Sequence, residues 1–113
     1  MKLKRVYLPA EETDGYRILV DRLWPRGISK EKAKIDLWLK EVAPSNELRK
    51  WFGHDPERFN EFTERYKAEL QVSGALEELR HAIQEHPNVT LLYAAHDEQH
   101  NNAVVLQELL ETT

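Results

Sequence analysis

Apolar residues fall along this chain in two patterns. Short, nearly continuous blocks occur at Ile18-Leu19-Val20 and from Val89 to Ala95 (VTLLYAA), and elsewhere apolar positions recur every three or four residues. A continuous block suits a strand covered on both faces, as in a parallel sheet, whereas the spaced pattern suits amphipathic helices. The expectation is an α/β fold: a small three-layer arrangement with a short, mostly parallel central sheet flanked by helices. Leu3–Leu8, Ile18–Leu23 and Val89–Ala94 are its expected central strands.

Between the strands, local signals place the helices. Ser29 is an N-cap for a short segment, Lys30 to Lys34, and Ser45 caps Asn46 to Phe52, which Gly53 stops. Asp55-Pro56 opens another helix, along which Phe59, Phe62, Tyr66 and Leu70 form a buried stripe. Ser73 caps the next, with Leu76, Leu79 and Ile83 inward and Pro87-Asn88 as its end. A closing helix from Asn101 to Glu111 puts Ala103, Leu106 and Leu110 on one face, with Val105 and Leu109 beside them. Leu37-Trp38-Leu39 fits strand or helix and is read as a short extended piece before Pro44. There is no internal repeat, low-complexity tract or linker, so residues 1–113 are expected to form a single α/β domain.

Composition narrows the function classes. Sixteen Lys+Arg against 20 Asp+Glu give a net charge of -4, which disfavours a nucleic-acid backbone as partner but leaves room for a local basic pocket. The absence of cysteine removes thiol nucleophiles, disulfides and zinc-thiolate sites, and suits a reducing compartment. MKLKRVYLP lacks the apolar run of a signal peptide, and no stretch approaches the roughly 20 apolar residues of a membrane span, so the expected location is cytoplasmic, with no membrane partner.

The densest chemistry lies in YRILVDRLWPRG, Tyr16 to Gly27. Asp21 and Arg22 follow an apolar strand directly, and Trp24-Pro25-Arg26-Gly27 forces a turn. If the strands ending at Val20 and Ala95 are parallel neighbours, their carboxyl ends gather Asp21, Arg22 and Arg26 with His96, Asp97 and Asn101. That edge is where open α/β sheets bind ligands. Arginine forks suit carboxylate or phosphate, and the start of the last helix near Asn101 adds backbone N–H groups. The alternative is that Asp21, Arg22 and Arg26 are a structural ion-pair cluster fixing the Trp-Pro corner. Trp24 could wall a pocket, although it, Trp38 and Trp51 also suit packing. Arg49 and Arg58 read as solvated helix positions, and Tyr93 as core.

Other chemistries match poorly. HDEQH, His96 to His100, has the two-histidine spacing of zinc proteases but carries Asp97 where Glu is needed, and it straddles a strand end. No metal or other cofactor is expected. Gly15 and Gly27 are isolated, which excludes a P-loop, and Ser29, Ser45 and Ser73 read as caps rather than nucleophiles.

KRVY near the amino terminus, DGYRILVDRLWPRG, APSNELRKWFGHDPERFNEFTERYKAEL and LLYAAHDEQHNNAVVLQELL together resemble the YeaO-like branch of domain-of-unknown-function family 488 over nearly the whole chain. The resemblance implies a small bacterial-type α/β protein, and the branch carries no established activity. Some members of the wider family have a cysteine-containing motif after the last strand. This chain has none, so no cysteine mechanism carries over. His96-Asp97 and Asn101 fall where the branch has a Lys-Asp-like pair followed by Asn, and His96 departs from the Lys.

Two functions remain open from sequence. One is a module binding a small phosphate- or carboxylate-bearing ligand through Arg22, Arg26, Trp24 and Asn101. The other is a small enzyme using Asp21, His96 or Asp97 for acid–base work on an anionic metabolite.

Overall fold

The computed structural model describes residues 1–112. Four parallel strands form one sheet: β1 (Lys2–Arg5), β2 (Tyr16–Leu19), β3 (Leu37–Trp38) and β4 (Val89–Tyr93), in the order β1-β4-β2-β3. Five α-helices accompany them: α1 (Lys30–Ala33), α2 (Asn46–Phe52), α3 (Phe59–Ser73), α4 (Ala75–Gln84) and α5 (Asn102–Glu111). The architecture is therefore α/β around a parallel sheet. The two apolar blocks are adjacent strands, with Ile18 opposite Leu91 and Leu19 opposite Leu92. Leu37-Trp38 is extended and adds the far edge beside β2.

Alternation along the strands sends residues to two unequal layers. Ile18, Val20, Val89, Leu91 and Tyr93 face the main core, where α2 to α5 contribute Leu48, Phe52, Phe62, Tyr66, Leu79, Val105 and Leu106. Each such side chain, fully buried, contributes about 1.5–3 kcal/mol. Leu19 and Leu92 face the opposite side and meet Val6, Trp24, Ile35 and Trp38. The short helix α1 lies on that side, and loop residues such as Trp24 and Ile35 cover much of it. Arg17, on the same face, ties α1 down: its guanidinium donates to Ala33 O (2.7 Å) and Lys34 O (3.1 Å), satisfying the turn's free carbonyls, and pairs with the buried Asp14 at 2.6 Å.

Strand bounds differ from the sequence expectation for identifiable reasons. β1 ends at Arg5 rather than Leu8. The Val6 N–H still reaches Tyr93 O (2.8 Å), but the chain then turns, with Leu8 N–H on Arg5 O, leaving Tyr7 and Leu8 exposed. β2 starts at Tyr16 and ends at Leu19 rather than Leu23: Val20 N–H makes the last ladder bond, to Leu92 O (3.1 Å), and Asp21 bends away. β4 stops at Tyr93 because the next amide, Ala94 N–H, donates to the Asp21 carboxylate instead of a strand.

Capping accounts for the helix ends. Ser29 accepts from Lys32 N–H and Ser45 from Leu48 N–H, and Gly53 closes α2 in the left-handed conformation. Asp55-Pro56 opens a 3-10 turn, Pro56–Arg58, before α3 begins at Phe59. Ser73 ends α3 rather than standing outside it. Gly74, at φ 72°, links α3 to α4, and Ser73 Oγ accepts from Ala75 N–H at 3.2 Å. Among the described residues, no helix is long and apolar enough to cross a membrane.

Candidate functional site

A cleft of about 460 Å³ opens at the carboxyl ends of β2 and β4. Asp21, Ala94 and Ala95 line it where the strands run out. The Arg22–Arg26 loop forms one wall, and Arg49 and Phe52 of α2, His54 and Phe62 form the other. Residues 96 and 97 with Asn101 and Asn102 close the end.

The loop wall is stiff. Trp24 donates its indole N–H to Ile28 O (2.8 Å) and meets Trp38 edge-to-face with centroids 5.4 Å apart, and Pro25 is buried. Trp38 donates to Asp21 O (2.7 Å), fixing the bend after β2. Tyr7, exposed after β1, has its hydroxyl on Arg26 O (3.0 Å) and its ring under the Arg5 guanidinium. Arg5 donates to Ala95 O (2.9 Å) and Ala94 O (3.3 Å). This pair ties the loops after β1, β2 and β4 together. The helical wall rests on Phe52 stacked against Phe62 at 4.3 Å, a pairing that adds about 0.5–1.5 kcal/mol to its burial. The Glu69 carboxylate clasps the N-cap of α2, accepting from Ser45 N–H (2.9 Å) and Ser45 Oγ–H (2.6 Å).

Asp21 sits between the walls. One carboxylate oxygen accepts from Ala94 N–H (2.9 Å) and the other from Asn102 Nδ2 (3.1 Å). Burial pushes its carboxyl above the ordinary value. The Ala94 and Asn102 bonds and the electrostatic influence of Arg49 and His54 oppose that rise without cancelling it. Among the described residues no salt bridge includes Asp21, so the ion-pair cluster of Asp21 with Arg22 and Arg26 does not form. Arg22 instead holds the turn before α2, donating from Nε to Pro44 O (3.1 Å) and from Nη2 to Ala43 O (3.2 Å), with Nη1 left over. Arg26 is exposed, and among the described residues only its carbonyl is engaged in a hydrogen bond, by Tyr7.

The loop after β4 is occupied with its own shape. Asp97 accepts from Gln99 N–H (2.9 Å) and His100 N–H (3.0 Å) and meets His100 Nδ1 at 2.9 Å. Led by the Gln99 bond, these hold its carboxyl below the ordinary range. Asn101 is the N-cap of α5: its Oδ1 accepts from Val104 N–H (3.1 Å) and its Nδ2 donates to Asp97 O (2.8 Å). His96 is exposed at the rim, and His100 packs edge-on against Phe59. Among the described residues, no three His, Asp or Glu side chains gather closely enough to hold a metal ion.

All seven residues singled out from sequence therefore line one cleft: Asp21, Arg22, Trp24, Arg26, His96, Asp97 and Asn101. Sequence reasoning missed Arg49, His54 and Asn102. Arg49 lies three residues before the buried Phe52, so helical spacing puts it on the inward side of α2. Its Nε is buried with no hydrogen-bond partner. His54 follows Gly53 in a left-handed conformation, φ 59°, uncommon for a residue with a side chain. Asn102 carried no local signal.

Comparison with known proteins agrees on ancestry. The family described as "Inactive DUF488-N3 subclade" matches residues 1–113. The uncharacterised protein YeaO of Escherichia coli (strain K12) is 47% identical over 113 residues, spanning 99% of this chain and 97% of its own. An uncharacterised protein of Mycobacterium tuberculosis (strain ATCC 25618 / H37Rv) is 46% identical over 110 residues, 97% of this chain and 92% of its own. No solved structure matches.

Proposed function

Because this chain belongs to DUF488-N3i, the inactive DUF488-N3 subclade, we propose that its cleft binds a small phosphate- or carboxylate-bearing molecule without transforming it. The observation that carries the reading is three guanidiniums, Arg22, Arg26 and Arg49, lining one cleft, with Arg22 Nη1 and the exposed Arg26 side chain left over as donors. A planar fork with free N–H groups is suited to carboxylate and phosphate oxygens. The net charge of -4 makes such a local basic pocket a better host for a small molecule than for a nucleic acid.

Support for binding over catalysis comes from the acidic residues. Asp97 has both oxygens engaged in shaping its own loop and is held below the usual carboxylate range, which makes it a weak base. A second reading, an enzyme of the same site, rests on Asp21 alone: burial lifts its carboxyl, the direction a general base needs.

Titration of the isotope-labelled protein with phosphorylated and carboxylate metabolites, followed by NMR, tests the proposal. Saturable shifts are expected at the Trp24 indole N–H, the Ala94 and Ala95 amides and the Asn102 side chain. Arg26→Ala should weaken binding roughly tenfold or more. No saturable shift at these groups with any member of the panel would overturn the reading, and chemical conversion of a ligand during the titration would move it to the enzyme.

A further inference from the structure

A site for a plain anion does not account for Asp21. A carboxylate has about four lone-pair positions, and Asp21 gives one to Ala94 N–H and one to Asn102 Nδ2. Arg49 and His54 face it and act on it through space, and no Arg, Lys or His among the described residues lies within ion-pair distance of it. Arg49 is under-used in the complementary sense. Its Nη2 donates to Asn46 Oδ1 at 3.2 Å, while Nε–H is buried with no partner. An acceptor and a cation thus line the same cleft unpaired with each other.

A group lodged between them must offer a donor to one and an acceptor to the other. An anion alone would meet an ionised Asp21 as a like charge, at an energetic cost. An ammonium beside Asp21 forms a charge-assisted bond with a carboxylate that burial has left poorly solvated, and a carboxylate on the adjoining carbon is drawn to the Arg49 guanidinium that lines the same cleft. The rest of the lining suits an apolar body: Leu23, Trp24, Phe52 and Phe62.

We propose that the ligand is a zwitterion, a free α-amino acid with an apolar side chain, its ammonium on Asp21 and its carboxylate on Arg49. This rests on the reading that the cleft binds an anionic group, and it names the second charge.

Calorimetry on the full chain at neutral pH tests it with five probes: L-phenylalanine, L-leucine, 3-phenylpropanoate, which lacks the amine, phenethylamine, which lacks the carboxylate, and inorganic phosphate. At least one amino acid should bind, and 3-phenylpropanoate and phenethylamine should each bind about tenfold or more weakly than L-phenylalanine. Asp21→Asn should abolish the preference for the amine, and Arg49→Gln should weaken both acids. The comparison of unmodified ligands needs no variant, so it decides the matter even if Asp21→Asn does not fold. If 3-phenylpropanoate or inorganic phosphate binds as tightly as the amino acids, the zwitterion is overturned and the anion site stands. If none of them binds, the zwitterion is overturned, and the metabolite titration described above decides the anion site separately.

Discussion

The side-chain amide of Asn102 donates to the Asp21 carboxylate at 3.1 Å, closing a contact between residues 81 positions apart, and also to the Val20 carbonyl at 2.9 Å. One side chain in the first turn of α5 thereby satisfies the last carbonyl of the apolar block and one oxygen of a half-buried acid. Asn102→Ala should cost about 1–3 kcal/mol, because both acceptors lose a partner in a partly buried place. It should also raise the Asp21 carboxyl further, since a bond to the charged form is lost. Denaturant unfolding reads the first effect and an NMR titration of the Asp21 carboxyl carbon the second. An unchanged titration would show that the bond does not act on the ionised form.

Two carboxyls shift in opposite directions and give opposite pH dependences. Burial pushes Asp14 up, but bonds from the Glu11 N–H, Lys4 and Arg17 more than offset it, and its carboxyl lies below the ordinary 3.8. Its contribution to stability is therefore fully present above about pH 3.8 and is lost as pH falls through the lower folded value. Asp21 lies above 3.8, so the folded state keeps its proton longer than the unfolded chain. Stability from this group is full below 3.8 and is lost as pH rises through the folded value.

Asp14→Asn leaves Lys4 and the buried Arg17 without their anion, and should cost about 3–5 kcal/mol near neutrality. The penalty relative to the parent should shrink as pH falls from 3.8 through the lower folded value, where the folded parent's own Asp14 gains a proton. Unfolding measured across pH for the two proteins checks this. A deficit that stays constant into acid would show that the ion pairs are not its source.

Gly15 joins the 3-10 turn Glu12–Asp14 to β2 at φ 67°, and a Cβ placed there would lie 2.4 Å from the Asn88 carbonyl oxygen. Gly15→Ala combines a left-handed backbone with a clash against the chain entering β4. It should lower stability by about 1–3 kcal/mol, seen as a drop in melting temperature. Gly27→Ala, also left-handed but with open space around it, should cost less.

What could be read from sequence was what is local or strongly periodic. Asn46–Phe52 was legible to the residue because Ser45 and Gly53 mark its ends chemically. The β2–β4 pair was legible because only strands covered on both faces carry such apolar blocks. The strand ends were not, because they depend on where a distant side chain replaces the ladder, as Asp21 does at Ala94. The uneven layers were hidden for the same reason: Trp24 and Trp38 cover Leu19 and Leu92 only once the loop has folded back. In the site, the strand-end loops were found through their unusual composition. Arg49 and Asn102 look like ordinary helix residues until tertiary contacts bring them to Asp21.

Arg22 and Arg26 stand four residues apart in one loop and should behave differently when truncated. Arg22 donates from its guanidinium to the Ala43 and Pro44 carbonyls, both in buried residues, and so pins the turn that leads into α2. Arg22→Ala strands those carbonyls and should cost about 1.5–3 kcal/mol of stability, the range for hydrogen bonds to a charged group. Because α2 carries Arg49 and Phe52, any loss of ligand binding in this variant would come partly through the displaced wall. Arg26 has an exposed side chain, and its one contact, Tyr7 on its carbonyl, survives truncation. Arg26→Ala should therefore unfold within about 0.5 kcal/mol of the parent, as surface substitutions usually do. The contrast is read by melting the two variants alongside Arg22→Lys, which keeps the charge but not the two-pronged bond to Ala43 and Pro44. Arg22→Lys should fall close to Arg22→Ala if bond geometry matters, and close to the parent if only the charge does. An Arg26→Ala variant that melts as low as Arg22→Ala would show that the loop depends on Arg26 as well, and would remove it as a clean probe of the anion site.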